Sequence, residues 1–325
     1  MEGIMDHLVH ERSKAQSNVE EMKVIWAGSA TEDQQQQWLP LANKMQIIGT
    51  YAQTELGHGS NIHGLETTVT FDPETDEFTI HRPTLTSSTW WPGGLGKVAT
   101  HAVVYALLIT NDQDYGVHIF LVQIRSLDDH FPLPGVTIGD IGMKFGSGAF
   151  DSMDNGVLRF DHVRIPRNQM LMRFSRVTRQ GKYIESNVLK QLLYGAMVCV
   201  RQIIVADTSI ALSRLKSRMY CYPICRRVVE MPIHRMTELI QKLEANNFSM
   251  LPKAHACTAG LKALTTSADV DNVEECRKLC GGHGYLSSCG LTELYHLYAA
   301  FFSSCIYEGY NIVLLKYLYM FQDFS

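Results

Sequence analysis

The apolar positions of this chain change their period twice. Over residues 3–27, Ile4, Leu8, Ala15, Val19, Met22 and Trp26 recur at mixed three-, four- and seven-residue spacing with charges between them, which predicts one amphipathic helix. Thr31 then precedes Glu32 and Asp33, a hydroxyl cap followed by acidic first-turn residues, so a second helix is expected to start there. Between about 65 and 166 the period shortens to two. TTVTF and FTIH flank the turn-rich connector DPETDE, a hairpin pattern. HAVVYALLIT and VHIFLVQI flank NDQDYG in the same way with longer, more apolar arms, and GVLRFDHVRIP alternates again and ends at a proline. Short strands punctuated by Gly, Pro and Asp predict a small β-barrel or sandwich.

The helical period returns afterwards. NVLKQLLYGAMVCVRQIIVADTSIALSRL carries a broad apolar face, and PKAHACTAGLKALTTSADVDNVEECRKLC reads as one long helix. SRMYCYPICRRVVEMPIHRM fits neither, because Pro223 and Pro232 would each interrupt a helix. The expected order is helices, strands, helices.

Composition excludes several classes. The 325 residues are 46% hydrophobic and 19% charged, as in a folded globular protein. A net charge of −4 without a long basic run offers nothing to nucleic acid. No apolar run approaches the roughly 18 residues of a membrane span. MEGIMDHLVHERSK lacks the apolar stretch of a signal peptide, so reduced thiols are expected for the eight cysteines. The final QDFS is not a Ser-Lys-Leu address.

Four stretches could carry chemistry. In YAQTELGHGSN, Gly57 and Gly59 flank His58, and glycine lets backbone N–H groups approach a ligand while Ser60 adds a hydroxyl for substrate. The same run also suits a plain turn or helix cap. TWWPGGLGK sets two indoles beside accessible backbone, either a platform for a planar ring or a Trp-rich turn over a core. In CRKLCGGHGYLSSC, Cys276, Cys280, His283 and Cys289 could ligate zinc, but the spacing is unfamiliar for that ion and no metal is expected. Gly281, Gly282 and Gly284 either leave bare backbone for a phosphate-bearing ligand or simply end the helix. In SSCIYEGYNIVLL, Glu308 is the one formal charge in an apolar run. Burial would raise its pKa toward that of a useful proton acceptor, whereas a capping or salt-bridged glutamate would need no such role.

Together these stretches, in this order, resemble the peroxisomal acyl-CoA oxidases, most closely the plant-type enzymes. The resemblance rests on MQIIGTYAQTELGHGSN, SSTWWPGGLGKVATHAVVYA, DSMDNGVLRFDHVRIPRNQMLMR, LPKAHACTAGLKALTT, EECRKLCGGHGYL and YEG-N, through most of 31–215 and again through 248–313. It implies a central small β-barrel followed by a helical bundle, with FAD between them. The activity implied is oxidation of fatty acyl-CoA to trans-2-enoyl-CoA, with O2 reduced to hydrogen peroxide, in peroxisomal β-oxidation. Thr54 and Gly93 match flavin-contacting positions, and Gly281, Gly282 and Gly284 match a turn that approaches the FAD diphosphate, commonly across a dimer interface. Glu308 matches the catalytic base.

The resemblance also implies departures. A helical domain expected between KVIWAGS and TEDQQQQW is not there, Arg226 and Arg227 stand outside their usual motif, and Tyr310 replaces an acidic residue. The sequence ends at YMFQDFS, before a second helical domain. The expected domains are residual N-terminal helices at 1–44, a β-barrel at 45–175 and a shortened helical domain at 176–325. Three functions follow: an oxidase acting as a homodimer, a non-catalytic subunit pairing with a full-length oxidase and reaching the peroxisome with it, and an acyl-CoA dehydrogenase.

Overall fold

The structure is a computed structural model and describes residues 25, 28–59, 61, 64–144, 153–185, 200–206, 208, 251–279, 281–285 and 302–322. The helix expected over 3–27, the segment with Pro223 and Pro232, and Ser60 lie outside these residues, apart from Ile25 at the end of the first. The chain divides into two compact units. One comprises 1–143 with 152–190, the other 144–151 with 191–325.

The first unit opens with helix α1, Glu32–Asn43. Thr31 caps it as the sequence predicts: its hydroxyl accepts from Gln34 N while Gln34 Oε1 accepts from Thr31 N, 3.1 Å away. Gln34 does more than cap. Its amide donates to the carbonyls of Asn168 (2.8 Å) and Met170 (2.6 Å), and its oxygen accepts from Met172 N (3.1 Å). One buried amide thereby satisfies backbone groups far along the chain and fixes the helix to residues 168–172, a segment between two of the strands.

Those strands are β1 (Gly49–Ala52), β2 (Thr68–Asp72), β3 (Glu77–His81), β4 (Thr89–Trp90), β5 (His101–Thr110), β6 (Gln113–Gln123), β7 (Val136–Asp140), β8 (Gly156–Phe160), β9 (Val163–Pro166), β10 (Ser175–Val177) and β11 (Tyr183–Glu185). A six-stranded sheet has the path β1-β5-β2-β3-β9, with β6 on the other edge of β5. A second sheet runs β4-β8-β7, and β10 pairs with β11. β5 is the organiser: β1 and β2 pair with its successive halves in parallel, while β6 runs antiparallel along its length.

Both expected hairpins form, with two refinements. The β5–β6 connection is only Asn111-Asp112, at φ 51° and 59°, so DYG belongs to β6. Such tight hairpins need positive φ at both central residues, and Asn and Asp tolerate it. GVLRFDHVRIP is two strands in different sheets, with Asp161-His162 at the corner and His162 at φ 49°. Alternating inward positions fill the core. Phe78 packs edge-on against Phe71 and Phe120, with centroids 5.0 and 5.3 Å away, among buried Val69, Ile80, Leu108 and Leu158.

In the second unit, residues 200–206 are helical. The long helix α2, Leu251–Leu279, and helix α3, Asn311–Gln322, follow. Small residues on α2 admit α3 closely: Leu314 packs on Ala259 and Ala263, and a Cβ at Gly260 would stand 2.8 Å from Leu318 Cδ2. Among the described residues no helix is long and apolar enough to cross a membrane.

Candidate functional site

The tryptophan turn is built from below by Arg82, which is fully buried. Its Nη1 donates to Leu158 O (2.8 Å) and to the Thr89 hydroxyl, and its guanidinium lies 5.0 Å from the centroid of the Phe160 ring. Burial pushes its pKa down to about 9, so it remains cationic at neutral pH. Thr89 thus anchors the start of β4, and Trp90 N donates to Thr54 O at 3.0 Å. Trp91 takes φ 85°, unusual for a bulky residue, and two bonds hold it there: its N–H donates to Gly156 O (3.1 Å) and its carbonyl accepts from Asn155 Nδ2 (2.6 Å). Thr50 Oγ1 donates to Gly93 O at 2.8 Å, and a Cβ on Gly93 would press on Met153 Sδ at 3.0 Å.

Thr54 is thus bonded to the first tryptophan of the turn that carries Gly93. Thr54 is exposed, and Trp90 and Trp91 stay 38% and 37% exposed, large fractions for indoles. The neighbouring stretch Leu56–Gly59 is tied down by a residue that forms no part of the glycine motif. Buried Glu55 accepts from the backbone N–H of Glu66 (2.8 Å) and Thr67 (3.0 Å) and from the Thr67 hydroxyl, while His58 bonds Glu66 Oε1 at 2.9 Å.

Glu308 sits in the second unit on the turn before α3, at φ 55°. The glycine after it is obligatory. Gly309 has φ 102°, and an added Cβ would lie 2.7 Å from Leu314 Cδ2. Two buried cations hold this turn by its carbonyls. Arg201 Nε donates to Glu308 O at 2.9 Å, and Lys262 Nζ donates to Gly309 O at 2.8 Å and to Asn311 Oδ1 at 3.0 Å. Asn311 completes the clamp by donating to Ala263 O (3.2 Å), Thr266 Oγ1 (2.9 Å) and Ser267 Oγ (2.9 Å) on α2. Arg201 also donates to His255 Nδ1 at 3.0 Å. Burial, and then the Arg201 charge, push His255 down to about 4, so it is a neutral acceptor.

Part of residue 308 reaches solvent, yet its carboxyl is desolvated enough that burial raises its pKa above the usual carboxylate range, against the opposing pull of Arg201 and Lys262. Burial, the largest influence, lowers the Lys262 ammonium to about 8. The apolar run around Glu308 does not supply this environment. Ile306, Ile312, Val313 and Leu315 are exposed, and helix 200–206 and α2 bring in the cations instead. The expected apolar pocket is thus a half-buried carboxyl between two cations. Lys262 was visible in the sequence as a charge among Ala259, Ala263 and Thr266 at helical spacing; Arg201 gave no such signal.

Gly281, Gly282 and Gly284 lie in a 3₁₀ turn, Gly281–Tyr285, just beyond α2. Gly281 has φ 56°, and Cβ atoms built on Gly281 and Gly282 meet nothing within 4 Å, so this backbone is open to approach. Cys280 and Cys289 of the zinc reading lie outside the described residues, as do Arg226 and Arg227. Tyr310 is exposed and stands at the N-cap of α3, where its carbonyl accepts from Leu314 N at 3.0 Å.

Comparison with known proteins places this architecture in a class. The sequence model of the acyl-CoA oxidase C-alpha1 domain matches residues 211–321. The fold is similar to that of Arabidopsis thaliana acyl-CoA oxidase 1, with a TM-score of 0.81 and 57% identity over 90% of this chain and 49% of that one. It is also similar to Caenorhabditis elegans acyl-CoA oxidase-1 complexed with FAD and ATP, with a TM-score of 0.80 and 32% identity over 94% of this chain and 49% of that one. The fold is that of the acyl-CoA oxidases. Against peroxisomal acyl-coenzyme A oxidase 1 of Arabidopsis thaliana the sequence is 58% identical over 322 aligned positions, 88% of this chain and 48% of that protein. In sequence the chain is similar to the peroxisomal acyl-CoA oxidases, and it spans about half the length of the curated relatives it matches.

Proposed function

We propose that this chain carries the flavin and base elements of an acyl-CoA oxidase, converting fatty acyl-CoA to trans-2-enoyl-CoA with O2 as acceptor and hydrogen peroxide as product. In this reading the strand unit corresponds to the small β-barrel of the fold and the helical unit to its C-terminal bundle. The residues present suit FAD: an exposed threonine is bonded to a turn with two part-exposed indoles, and a glycine turn offers unobstructed backbone. Within the strand unit Thr54, Gly93 and the tryptophan turn are the candidates for the ring; within the helical unit Gly281, Gly282 and Gly284 are the candidates for a diphosphate, commonly that of a partner's FAD across a dimer interface in the family resembled. Bound there, FAD would supply the two-electron acceptor that O2 reoxidises. Ser60 remains a candidate for the substrate.

The observation that carries the proposal is the Glu308 turn. A carboxyl raised above its usual range and held by cations on its own and the next carbonyl is a positioned base for the α-proton of a thioester. The cations would also draw negative charge into the site as the proton leaves. The named relatives are oxidases, which favours oxidase over dehydrogenase. Peroxisomal residence and a homodimeric state belong to the same proposal.

The test measures bound flavin and peroxide release on palmitoyl-CoA for the wild type and Glu308→Gln. The variant is expected to keep its flavin and lose about 10²–10⁴-fold in turnover. The acidic limb of the wild-type pH profile should fall above the ordinary glutamate value of about 4.3. A protein that neither holds FAD nor releases peroxide refutes the reading. The missing helical segment between KVIWAGS and TEDQQQQW also favours a second reading, a subunit that pairs with a full-length oxidase. That reading predicts no peroxide alone and stable co-purification with such a partner.

A further inference from the structure

The strand unit brings together three residues that form no motif. β3 ends at His81, and the corner between β8 and β9 carries Asp161 and His162. Register makes them meet. Ile80 pairs with Val163, and Arg82 N donates to Phe160 O at 3.0 Å, so the residues in between face each other. The two imidazoles stack with centroids 3.9 Å apart and planes inclined by 23°. His162 Nδ1 stands 2.7 Å from Asp161 Oδ1, and His81 Nδ1 stands 3.7 Å from the same oxygen. One ligand atom from each of the three lies within 4.8 Å of the others.

His81 Nδ1 is shielded from solvent and has no hydrogen-bond partner, although it faces the Asp161 carboxylate. A shielded polar atom of that kind calls for a partner, and 3.7 Å is too long for a direct bond. Asp161 is fixed independently, since its N–H donates to Gly135 O at 2.8 Å. Two imidazoles and one carboxylate form a donor set for borderline divalent ions of the Zn2+ kind, and a poor one for Mg2+. Donors about 2.0–2.1 Å from a tetrahedral ion stand roughly 3.3 Å from one another. The 2.7 and 3.7 Å separations bracket that spacing, so an ion would lengthen one contact and shorten the other by side-chain rotation alone.

We propose that His81, Asp161 and His162 form a binding site for a divalent transition ion of the Zn2+ class, tying the end of β3 to the β8–β9 corner where the chain changes sheets. Water completes the coordination, since Asp161 and His162 are exposed and an ion has free access. The cluster of Glu55, His58 and Glu66 is different in kind. There the Glu55 oxygens already accept three hydrogen bonds, leaving a satisfied structural clamp.

The experiment titrates ZnCl2 into the chelator-stripped full chain at neutral pH by calorimetry and follows melting with and without the ion. The wild type should bind Zn2+ saturably, with Mg2+ failing to compete, and melt at a higher temperature when loaded. His81→Gln and His162→Asn should each weaken binding by about tenfold or more and abolish the melting shift. Asn tolerates the positive φ at 162, so the corner keeps its backbone, and near-ultraviolet dichroism checks this. Should either variant fail to fold, Asp161→Asn reads the same site without touching the rings. Absence of Zn2+ binding, or binding of equal strength in the variants, as at cysteines elsewhere, overturns the proposal. Equal binding of Mg2+ overturns the class of ion.

Discussion

Asp269 shows how much one side chain can weigh on this molecule. It is fully buried on α2, and both carboxylate oxygens are shielded and lack hydrogen-bond partners. Burial pushes its pKa up to about 7 from 3.8. The folded state therefore favours the protonated form. The stabilising proton is fully retained below pH 3.8, and its benefit is lost as pH rises through about 7. Asp269→Asn, which cannot ionise, should stabilise the helical unit at pH 8 by roughly 2–4 kcal/mol. Urea unfolding across the pH range should show that advantage vanish at low pH; a pH-independent difference would contradict the assignment. At this scale the sequence displayed Glu308, because a single acid in an apolar run is conspicuous. It concealed the function of Arg201 and Lys262, whose partners are carbonyls more than 40 positions away. Asp269 was equally hidden, since an acid on a long helix reads as surface until packing buries it.

At the scale of elements, Tyr310 stands at the start of α3 and offers the exposed N–H groups no side-chain acceptor of the kind Asp would provide. Tyr310→Asp should stabilise the helix by about 0.5–2 kcal/mol, through a cap and a favourable charge at the positive end of the helix dipole. A raised melting temperature would bear this out, and an unchanged one would mean that the α3 terminus is already satisfied. Local patterns located α1 well, because a capping box is written in four consecutive residues. The β8–β9 corner was harder. Inward positions run Leu158, Phe160, then Val163, Ile165, a slip of one in an otherwise regular alternation. The slip is present in the sequence, yet only the pairing of β8 with β7 and of β9 with β3 shows it to be a change of sheet.

At the scale of the whole molecule, the division into two compact units predicts that they unfold in separate steps. His101 gives the strand unit its own acid response. It is buried at the head of β5 with its Nδ1 3.0 Å from Thr100 Oγ1, and burial lowers its pKa to about 4 from 6.5. Its contribution is present above pH 6.5 and is lost as pH falls toward 4, a loss on the order of 3 kcal/mol. Thermal melts should show two transitions, the one assigned to the strand unit falling between pH 6.5 and 4 and falling less in His101→Gln. A single transition, or equal acid sensitivity in that variant, would count against this account.

The sequence by itself determined the order of helical and strand segments, the cap of α1, the two hairpins and the glycine-bearing turns, because each is encoded in residues close together along the chain. Its motifs also carried the resemblance to the oxidases. Tertiary structure alone decided that Thr54 stands beside the tryptophan turn, that two cations grip the Glu308 turn, and that His81 faces Asp161 and His162. Those arrangements come from strand register and helix packing, which join residues far apart in the chain, and burial then sets the charge states that their chemistry depends on.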